Sequence, residues 1–416
     1  MRYRNVDVEL SDPIAAIDLD RDQSGIGLLV RWQGRLVGFS LEPLELGSAI
    51  STEALTLIIE RRFTSALLRV RSEAFIAAGR PLARDHRPVT LSVAICTKDR
   101  AQRLRRLLSS LKAALSEGSP FATVEVIVVD NASVDDQTRD VVAEFPGFRW
   151  VREARTGLDF ARNAAVHAAG GDLLAYLDDD VVIDRGWFRG LYAAWSDCPG
   201  SGGFSGLVLP FRLDTKAQIS FEQLGGFGRG FERIHHREVK FDNPIFPAAA
   251  GNVGAGCNMA FDRKLLIELG GFDEALDTGA PLPGGGDLDI FYRVLRSGRG
   301  IVYEPQYAVF HEHRETMPQL RRQYWTWGLG FMAFLVKAWQ TDVAMRPMHV
   351  ATARWWFRFQ VLRMLRYLRQ GSLQYALFSF AELRGAVQGL AGEYGRSQRR
   401  SDRIRKAVDR AARHVA

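Results

Sequence analysis

The sequence predicts an α/β protein whose central domain contains a parallel sheet, with a small mixed α+β unit before it and a helical region after it. Three observations support this prediction. Apolar, strand-like runs alternate with helix-like segments from Val89 onward, shorter alternating runs precede them, and residues 320–416 contain helix-like segments only. Strands that are apolar throughout and alternate with helices are typical of a parallel sheet covered on both faces.

The bulk composition limits the class of protein. A chain of 416 residues is too long for one ordinary core and favours two or three units. Its 47% hydrophobic and 25% charged residues are typical of a globular protein. The cysteines Cys96, Cys198 and Cys257 are far apart, which indicates neither a disulfide framework nor a zinc site. No signal peptide is found, nor a run of about 18 apolar residues, so a cytoplasmic location is expected.

Residues 1–88 are predicted to form a small accessory unit. The alternating runs 27–32 and 36–39, joined through Gln33 and Gly34, predict a β-hairpin. A helix is expected over 52–78 and a polar linker over 80–88. No motif with known chemistry occurs in this unit.

Residues 89–319 are predicted to form the central α/β domain. Its expected strands are 91–95, 124–129, 149–151 and 173–177, and its expected helices are 101–116, 135–144 and 160–169. Polar residues follow three of the strands, at 96–100, 130–133 and 178–180. Because ligands of open parallel sheets bind beyond the carboxyl ends of the strands, the functional site is expected there.

Three aspartates, Asp178, Asp179 and Asp180, follow the last of these strands directly. Adjacent carboxylates repel one another, and a bound cation removes that cost. Oxygen ligands of this kind suit Mg²⁺ or Mn²⁺, which take further ligands from water and substrate phosphates. A solvated acidic turn that caps the next helix is the alternative interpretation of the triplet alone.

Seven segments in fixed order carry a family resemblance. They are LSVAICTKDR (91–100), VVDNAS (128–133), ARN (161–163), LDDD (177–180), GAGCNMA (254–260), GGFDE (270–274) and GDLD (286–289). Together they resemble the inverting glycosyltransferase family 2, whose members have the nucleotide-binding GT-A fold. The resemblance covers about 91–313, and each segment is weak alone.

The resemblance implies a nucleotide-sugar site at the ends of the strands. Asp130 would accept the N3–H of a pyrimidine base, and Thr97 and Asp99 would line the nucleoside pocket. Arg162 would lie near the diphosphate. The alternatives are that Asp130 caps the following helix and that Arg162 is a solvated helical arginine.

The aspartate triplet corresponds to the family's DXD motif. The resemblance implies that Asp180 is a direct metal ligand, that Asp178 holds the ribose or the metal shell, and that Asp179 also belongs to the nucleotide-sugar site. His311, which follows an apolar run, would complete the metal site. His313 competes for that role, and a lone histidine is more often structural.

Asp287 is the residue that the resemblance implies as the catalytic base. It follows the flexible stretch 284–286 and begins a predicted helix. The family usually has Glu-Asp here, whereas this chain has Gly286 before Asp287, which leaves acceptor positioning open. A structural role for Asp287 as helix N-cap is the alternative.

The implied reaction is metal-dependent transfer of a sugar, with inversion, from a UDP-, dTDP- or GDP-sugar to a glycan or lipid-linked acceptor hydroxyl. Two other functions stay open. A nucleotidyltransferase would favour a loop rich in glycine and lysine, which is not found. A non-catalytic scaffold is disfavoured because Asp130, Asp178, Asp180 and Asp287 are all present.

Residues 320–416 are predicted to form a basic, amphipathic helical region. They contain 18 Lys and Arg against 5 Asp and Glu. On a helical wheel from Arg354, arginines occupy one half and apolar side chains such as Val361 and Leu368 the other. An anionic partner is expected, namely the inner face of the cell membrane, with nucleic acid disfavoured. Packing of the apolar half on the central domain is the alternative.

Overall fold

The computed structural model describes residues 2–79, 88–237, 243, 245–276, 279 and 282–415. The predicted linker lies outside the described residues except for Pro88. The strands are β1 (Arg4–Glu9), β2 (Ile17–Asp18), β3 (Gly25–Trp32), β4 (Arg35–Pro43), β5 (Ala49–Ile50), β6 (Thr90–Thr97), β7 (Thr123–Asn131), β8 (Arg149–Glu153), β9 (Leu173–Asp178), β10 (Val181–Ile183), β11 (Gly203–Pro210), β12 (Ile234–His236), β13 (Asn258–Asp262) and β14 (Ile301–His311). The helices are α1 (Thr52–Gly79), α2 (Ala101–Ser116), α3 (Gln137–Ala143), α4 (Leu158–Ala168), α5 (Trp187–Asp197), α6 (Lys216–Gln223), α7 (Arg263–Glu268), α8 (Gly286–Arg296), α9 (Met317–Thr341), α10 (Arg346–Arg369), α11 (Leu373–Gln388) and α12 (Tyr394–Val415).

The N-terminal residues form the predicted hairpin and helix. Strands β3 and β4 pair antiparallel, and the two residues between them, Gln33 and Gly34, have φ angles of 49° and 75°. Both angles match a two-residue turn whose twist follows that of the strands. Strand β1 adds to β3 in parallel, and α1 covers the sheet by placing Phe63 against Gly38.

The central sheet differs in one respect from the predicted parallel sheet. Its order is β10-β14-β11-β13-β9-β6-β7-β8. The half formed by β9, β6, β7 and β8 is parallel, whereas β13 runs antiparallel to both β9 and β11, and β10 antiparallel to β14. Within the described residues only a 3₁₀ turn, Ala250–Asn252, lies between β12 and β13, so this connection does not impose the parallel direction that a crossover α-helix does.

The parallel half brings the three predicted loops together. Thr97, at the end of β6, is paired with Asp130 of β7, and its neighbour Cys96 with Asp178 of β9. The carboxyl ends of the three strands therefore lie side by side. This register places the polar residues after each strand at one edge of the sheet, as predicted.

The helices after β14 pack on the central domain and on one another. Helices α9 and α11 approach closely because each has a glycine at the contact: a Cβ on Gly328 would lie 1.9 Å from the Glu382 carbonyl oxygen, and one on Gly385 2.0 Å from that of Trp325. A kinked π-helical turn with Gly392 at φ 81° joins α11 to α12. Within the described ranges, no helix is both long and apolar enough to cross a membrane.

Candidate active site

A cavity of about 930 Å³ opens at the carboxyl edge of the parallel strands. Its wall continues along the loop before α8, the end of β14 and the facing sides of α9 and α10. The residues predicted for the site that line it are Thr97, Asp99, Arg162, Asp178, Asp179, Asp180, Asp287 and His311. The structure therefore brings eight of the nine together, and Asp130 is the exception.

Asp130 lies beneath the cavity wall and is fully buried. Its Oδ2 accepts a hydrogen bond of 2.6 Å from Arg152 Nη1, and its Oδ1 accepts one of 3.2 Å from the backbone N–H of Ser133. The alternative of a helix cap is wrong, because the N-cap of α3 is Asp136. Asn131 is the residue of this loop that lines the cavity. Recognition of a base by Asp130 stays a prediction.

Asp179 holds the loop after β6 rather than facing open space. Its Oδ2 accepts from Thr97 Oγ1 at 2.7 Å and its Oδ1 from Arg100 Nη1 at 2.9 Å. Burial raises the pKa of the Asp179 carboxyl, Arg100 lowers it, and the neighbouring Asp180 raises it further. Asp99, at φ 54°, bonds the backbone N–H of Val134 at 2.8 Å and so ties this loop to the next.

Arg162 is buried, so the interpretation as a solvated arginine is wrong. Its Nη1 donates to Asp159 Oδ1 at 2.9 Å, and its Nη2 lies 4.0 Å from Asp178 Oδ1. A Cβ on Gly256 would lie 3.2 Å from Arg162 Nη2 and 3.2 Å from Asp287 Oδ2. The Arg162 guanidinium and the Asp287 carboxylate therefore reach the cavity on either side of Gly256, which has no side chain.

Three carboxylates converge around Cys257. Burial raises the pKa of its thiol well above the usual value, and the nearby carboxylates of Asp178, Asp180 and Asp287 raise it further. The thiol is therefore un-ionised and unsuited to nucleophilic chemistry. The negative charge of the site belongs to the aspartates.

A chain of hydrogen bonds fixes the protonation of His311. The Nε2 of His313 lies 2.7 Å from Glu222 Oε1, and in the tautomer that donates there the His313 Nδ1 accepts from Nδ1–H of His311 at 2.9 Å. Burial lowers the pKa of His311 well below its usual value, with His313 and Arg314 adding to the effect. Neutral His311 therefore presents an Nε2 lone pair, 3.4 Å from Asp180 Oδ1.

This arrangement fits a divalent cation. His311 Nε2 and Asp180 Oδ1 lie 3.4 Å apart, and Asp180 Oδ1 has no hydrogen-bond partner among the described residues. A ligating histidine that donates its other N–H to a polar partner is the usual pattern at metal sites. Within the described residues no three His, Cys, Asp or Glu side chains form a complete set of ligands. Mg²⁺ and Mn²⁺ commonly complete such a set with water and substrate phosphates.

Asp287 lies in the first turn of α8, one residue after the start of the helix. The N-cap is Gly285, at φ 115°, so Asp287 is not the cap. Its Oδ1 bonds the backbone N–H of Leu288 at 2.9 Å, and the side chain lines the cavity. Asp289 is fully buried and forms ion pairs with Arg293 and Lys337. Only the first of these two aspartates faces the cavity.

No sequence pattern indicates the contact between Asp159 and Gly286. A Cβ on Gly286 would lie 2.2 Å from Asp159 Oδ2, so the buried carboxylate of α4 fills the space beside the first residue of α8. The family's usual glutamate before Asp287 has no room here. Sequence inspection could have noted only that Asp159 precedes Arg162 by one helical turn.

Two cations of the cavity wall were also missed. Among the described residues, Arg229 donates only to backbone carbonyls, those of Phe227, Gly228 and Gly251, at 3.2, 3.1 and 2.8 Å. Burial lowers the pKa of its guanidinium. Arg314 lines the same wall and has no ion pair in the described part of the chain. Positive charge without a carboxylate partner suits a site that accepts a diphosphate.

The fold and this cavity define an α/β protein with the GT-A arrangement, in which the functional edge of the sheet is lined with aspartates. Residues 92–242 match the model of Glycosyl transferase family 2. The segment therefore belongs to that family, and the resemblance identified from the sequence motifs is confirmed.

Curated relatives agree with this family. The chain is 28% identical over 257 residues to the pre-mycofactocin glycosyltransferase of Mycobacterium tuberculosis, covering 60% of this chain and 48% of the relative. It is 27% identical over 233 residues to the probable N-acetylgalactosaminyltransferase 9 of Caenorhabditis elegans, covering 51% and 38%. The chain thus spans 48% of the length of the first relative and 38% of the length of the second.

Solved structures with a similar fold contain nucleotides and Mn²⁺. The mannosyltransferase PcManGT of Pyrobaculum calidifontis, in complex with GDP-Man and Mn²⁺, is 16% identical, with a TM-score of 0.48 over 81% of this chain and 97% of that one. The glucosyl-3-phosphoglycerate synthase of Mycobacterium tuberculosis, with Mn²⁺, UDP and phosphoglyceric acid, is 17% identical, with a TM-score of 0.39 over 59% and 76%.

Proposed function

We propose that this chain transfers a sugar from a nucleoside diphosphate to an acceptor hydroxyl. The observation that carries the proposal is the convergence of Asp178, Asp180 and Asp287 on one cavity at the nucleotide-binding edge of a family 2 domain. Metal dependence, inversion at the anomeric carbon and a role for each site residue are parts of this proposal.

Asp180 and His311 hold a Mn²⁺ or Mg²⁺ ion in this proposal, with Asp178 near the ribose or the metal shell. When bound, the ion supplies Lewis-acid stabilisation of the leaving diphosphate. Arg162 neutralises charge on the same group, and its bond to Asp159 keeps the guanidinium in place. Arg229 and Arg314, which have no carboxylate partner in the part of the chain that the structure describes, add positive potential to the wall.

Asp287 accepts the proton of the acceptor hydroxyl. A hydroxyl is a poor nucleophile at neutral pH, and a carboxylate that removes its proton during attack raises the rate. Attack opposite the departing diphosphate inverts the anomeric centre. The carboxylate lies in the first turn of α8, where the helix N-terminus carries partial positive charge.

The donor in this proposal is a UDP-, dTDP- or GDP-sugar, and Thr97, Asp99, Asp130 and Asp179 form or support the nucleoside end. Asp130 reaches the base only if Arg152 moves from its present bond. The acceptor is a glycan or a lipid-linked molecule. We also propose a cytoplasmic protein that attaches peripherally to an anionic inner membrane face and acts in cell-envelope glycan synthesis.

The test is nucleotide release across a panel of sugar donors, with Mn²⁺, Mg²⁺ or excess EDTA. We expect release of a nucleoside diphosphate that needs the metal and an acceptor. Release of inorganic pyrophosphate from a nucleoside triphosphate and a sugar 1-phosphate, supplied in a parallel assay, would indicate a nucleotidyltransferase instead. No binding or turnover of any nucleotide sugar by the intact chain would favour a non-catalytic scaffold and refute the proposal.

A further inference from the structure

The cavity continues past Asp287 into a cleft between two helices. Trp327 and Phe331 line it from α9, and Trp355 and Phe359 line it from α10; we call this part the aromatic cleft. Helix α9 lies against the loop before α8, since a Cβ on Gly330 would lie 2.7 Å from the carbonyl of Gly284. The aromatic cleft therefore opens beside the loop that carries Asp287.

The α10 wall of the cleft is flat and apolar. The rings of Trp355 and Phe359 are stacked, with centroids 5.5 Å apart and planes 15° apart. Each residue is 45% exposed, so a large part of this surface is left uncovered by the described residues. Exposed, contiguous apolar surface inside a cavity is typical of a ligand contact. The occupant of the cleft should therefore have a flat face rich in C–H groups.

A buried polar group adjoins this wall. Gln360 is only 2% exposed, and its Oε1 has no hydrogen-bond partner among the described residues. A buried oxygen without a donor is costly, and a ligand hydroxyl would remove the cost. Arg363 and Glu382 line the cleft as well, but they form an ion pair of 2.5 Å with each other. The described residues of the cleft thus offer a hydrogen-bond acceptor and no unpaired charge.

We infer that the aromatic cleft is the acceptor subsite and that it binds a neutral sugar ring. A pyranose has a flat C–H face for Trp355 and Phe359 and hydroxyls for Gln360, whereas an alkyl chain would leave Gln360 without a donor. The whole cavity has a volume of about 930 Å³. Because small-ligand sites have volumes of roughly 300–1,000 Å³, this cavity has room for a sugar ring beside a nucleotide. The inference rests on the proposed function, because only then is the other end of the cavity occupied by the donor.

The experiment is ligand-observed NMR on the full chain with UDP or GDP and Mn²⁺. The probes are the methyl glycosides of glucose, galactose, mannose and N-acetylglucosamine, with octyl phosphate as the lipid-like probe. We expect at least one glycoside to bind. Trp355→Ala and Gln360→Leu should each weaken it about tenfold, the size of a lost hydrogen bond or a lost contact face. Trp355→Phe, which keeps a flat ring, should restore most of the binding.

Trp339→Ala is the matched control, because Trp339 is an exposed tryptophan of α9 outside the cavity wall. Its glycoside affinity should equal that of the unchanged chain. No glycoside binding, equal affinity in the two cleft variants, or displacement of the glycoside by octyl phosphate would each overturn the inference. Nucleotide binding in the same samples separates the two ideas: its absence refutes the proposed function, and its presence without glycoside binding refutes the cleft alone.

Discussion

Gly286 is the residue of the site whose surroundings leave the least space for a side chain. Its missing side chain leaves space for the Asp159 carboxylate, which is buried and bonded to Arg162. We predict that Gly286→Ala destabilises the fold by about 1–3 kcal/mol through overpacking and lowers turnover. Urea unfolding and a donor-release assay measure the two effects.

Two further variants identify the cause of that loss. Combining Gly286→Ala with Asp159→Gly should cost less than the sum of the two single changes, because the clash requires both side chains. Gly200→Ala is the control, since nothing lies within 4 Å of a Cβ there. A Gly286→Ala protein as stable and active as the unchanged chain would show that Asp159 moves aside without cost.

Asp180 carries the prediction about the metal. Asp180→Ala should abolish turnover and the rise in melting temperature that Mn²⁺ causes, because it removes the unpartnered ligand oxygen. The metal-free protein should be at least as stable as before, since Asp180 repels the buried Asp179. Asp12→Ala, at an exposed aspartate, should change neither property. Full activity in excess EDTA would contradict the prediction.

Asp287 carries the prediction about the base. Asp287→Asn keeps the shape of the side chain and should lower turnover by about 10²–10⁴ while donor and metal still bind. Asp289→Asn should instead lower the free energy of unfolding, because it removes the buried carboxylate that pairs with both Arg293 and Lys337. Rapid-quench turnover, donor binding and urea unfolding distinguish the two. Near-normal turnover of Asp287→Asn, or retention of the anomeric configuration, would show that the assignment is wrong.

At the scale of elements, helix α10 differs from its sequence prediction, which is a helix with one arginine-rich half and one apolar half. The buried side chains are His349, Thr352, Trp356 and Gln360, which form a narrow stripe toward the protein. Most of the remaining apolar side chains, including Leu362, Leu365 and Leu368, are exposed. Packing on the central domain therefore covers only part of the apolar surface, and the rest lies among arginines.

This surface leads to a prediction about membranes. The intact chain should float with anionic liposomes and less so at high salt, since each basic residue near the surface contributes about 1 kcal/mol before screening. Changing Leu362, Leu365 and Leu368 to Ser should abolish flotation. Changing the exposed Leu57 and Leu68 of α1 to Ser is the control. No flotation of the intact chain refutes the idea. Cutting the chain near Leu320 is a poorer test, because it also removes α9 from the cavity wall.

The elements that sequence inspection predicted best are those whose evidence is local. Strands β6, β7 and β9 are continuous apolar runs followed by polar residues, and α2 was expected at the bounds it has. Strands β10 and β12 are only three residues long and show no periodicity. The contact of Asp159 with Gly286 and the hydrogen-bond chain from Glu222 to His311 join segments distant in the chain, so no pattern within one segment reveals them.

At the scale of the whole molecule, a buried ion pair joins the N-terminal unit to the central domain. Arg31 Nη2 lies 2.6 Å from Asp184 Oδ2, and both side chains are almost fully buried. We predict that Arg31→Met costs about 3–5 kcal/mol, because Asp184 is left charged and buried. Arg31→Met with Asp184→Asn should cost less. Urea unfolding measures both, and a loss below about 1 kcal/mol for the single variant would contradict the prediction.

Two separate parts of the chain form the cavity wall, and this division bears on how the acceptor preference of the protein could change. Its strand-end loops lie within the segment that matches the family model, whereas the aromatic side chains of α9 and α10 lie outside that segment. Under the proposed function, the first part recognises the donor and the second the acceptor. Substitutions in α9 and α10 could then give a new acceptor preference while the inherited donor chemistry is kept, so relatives that share the central domain need not share a product.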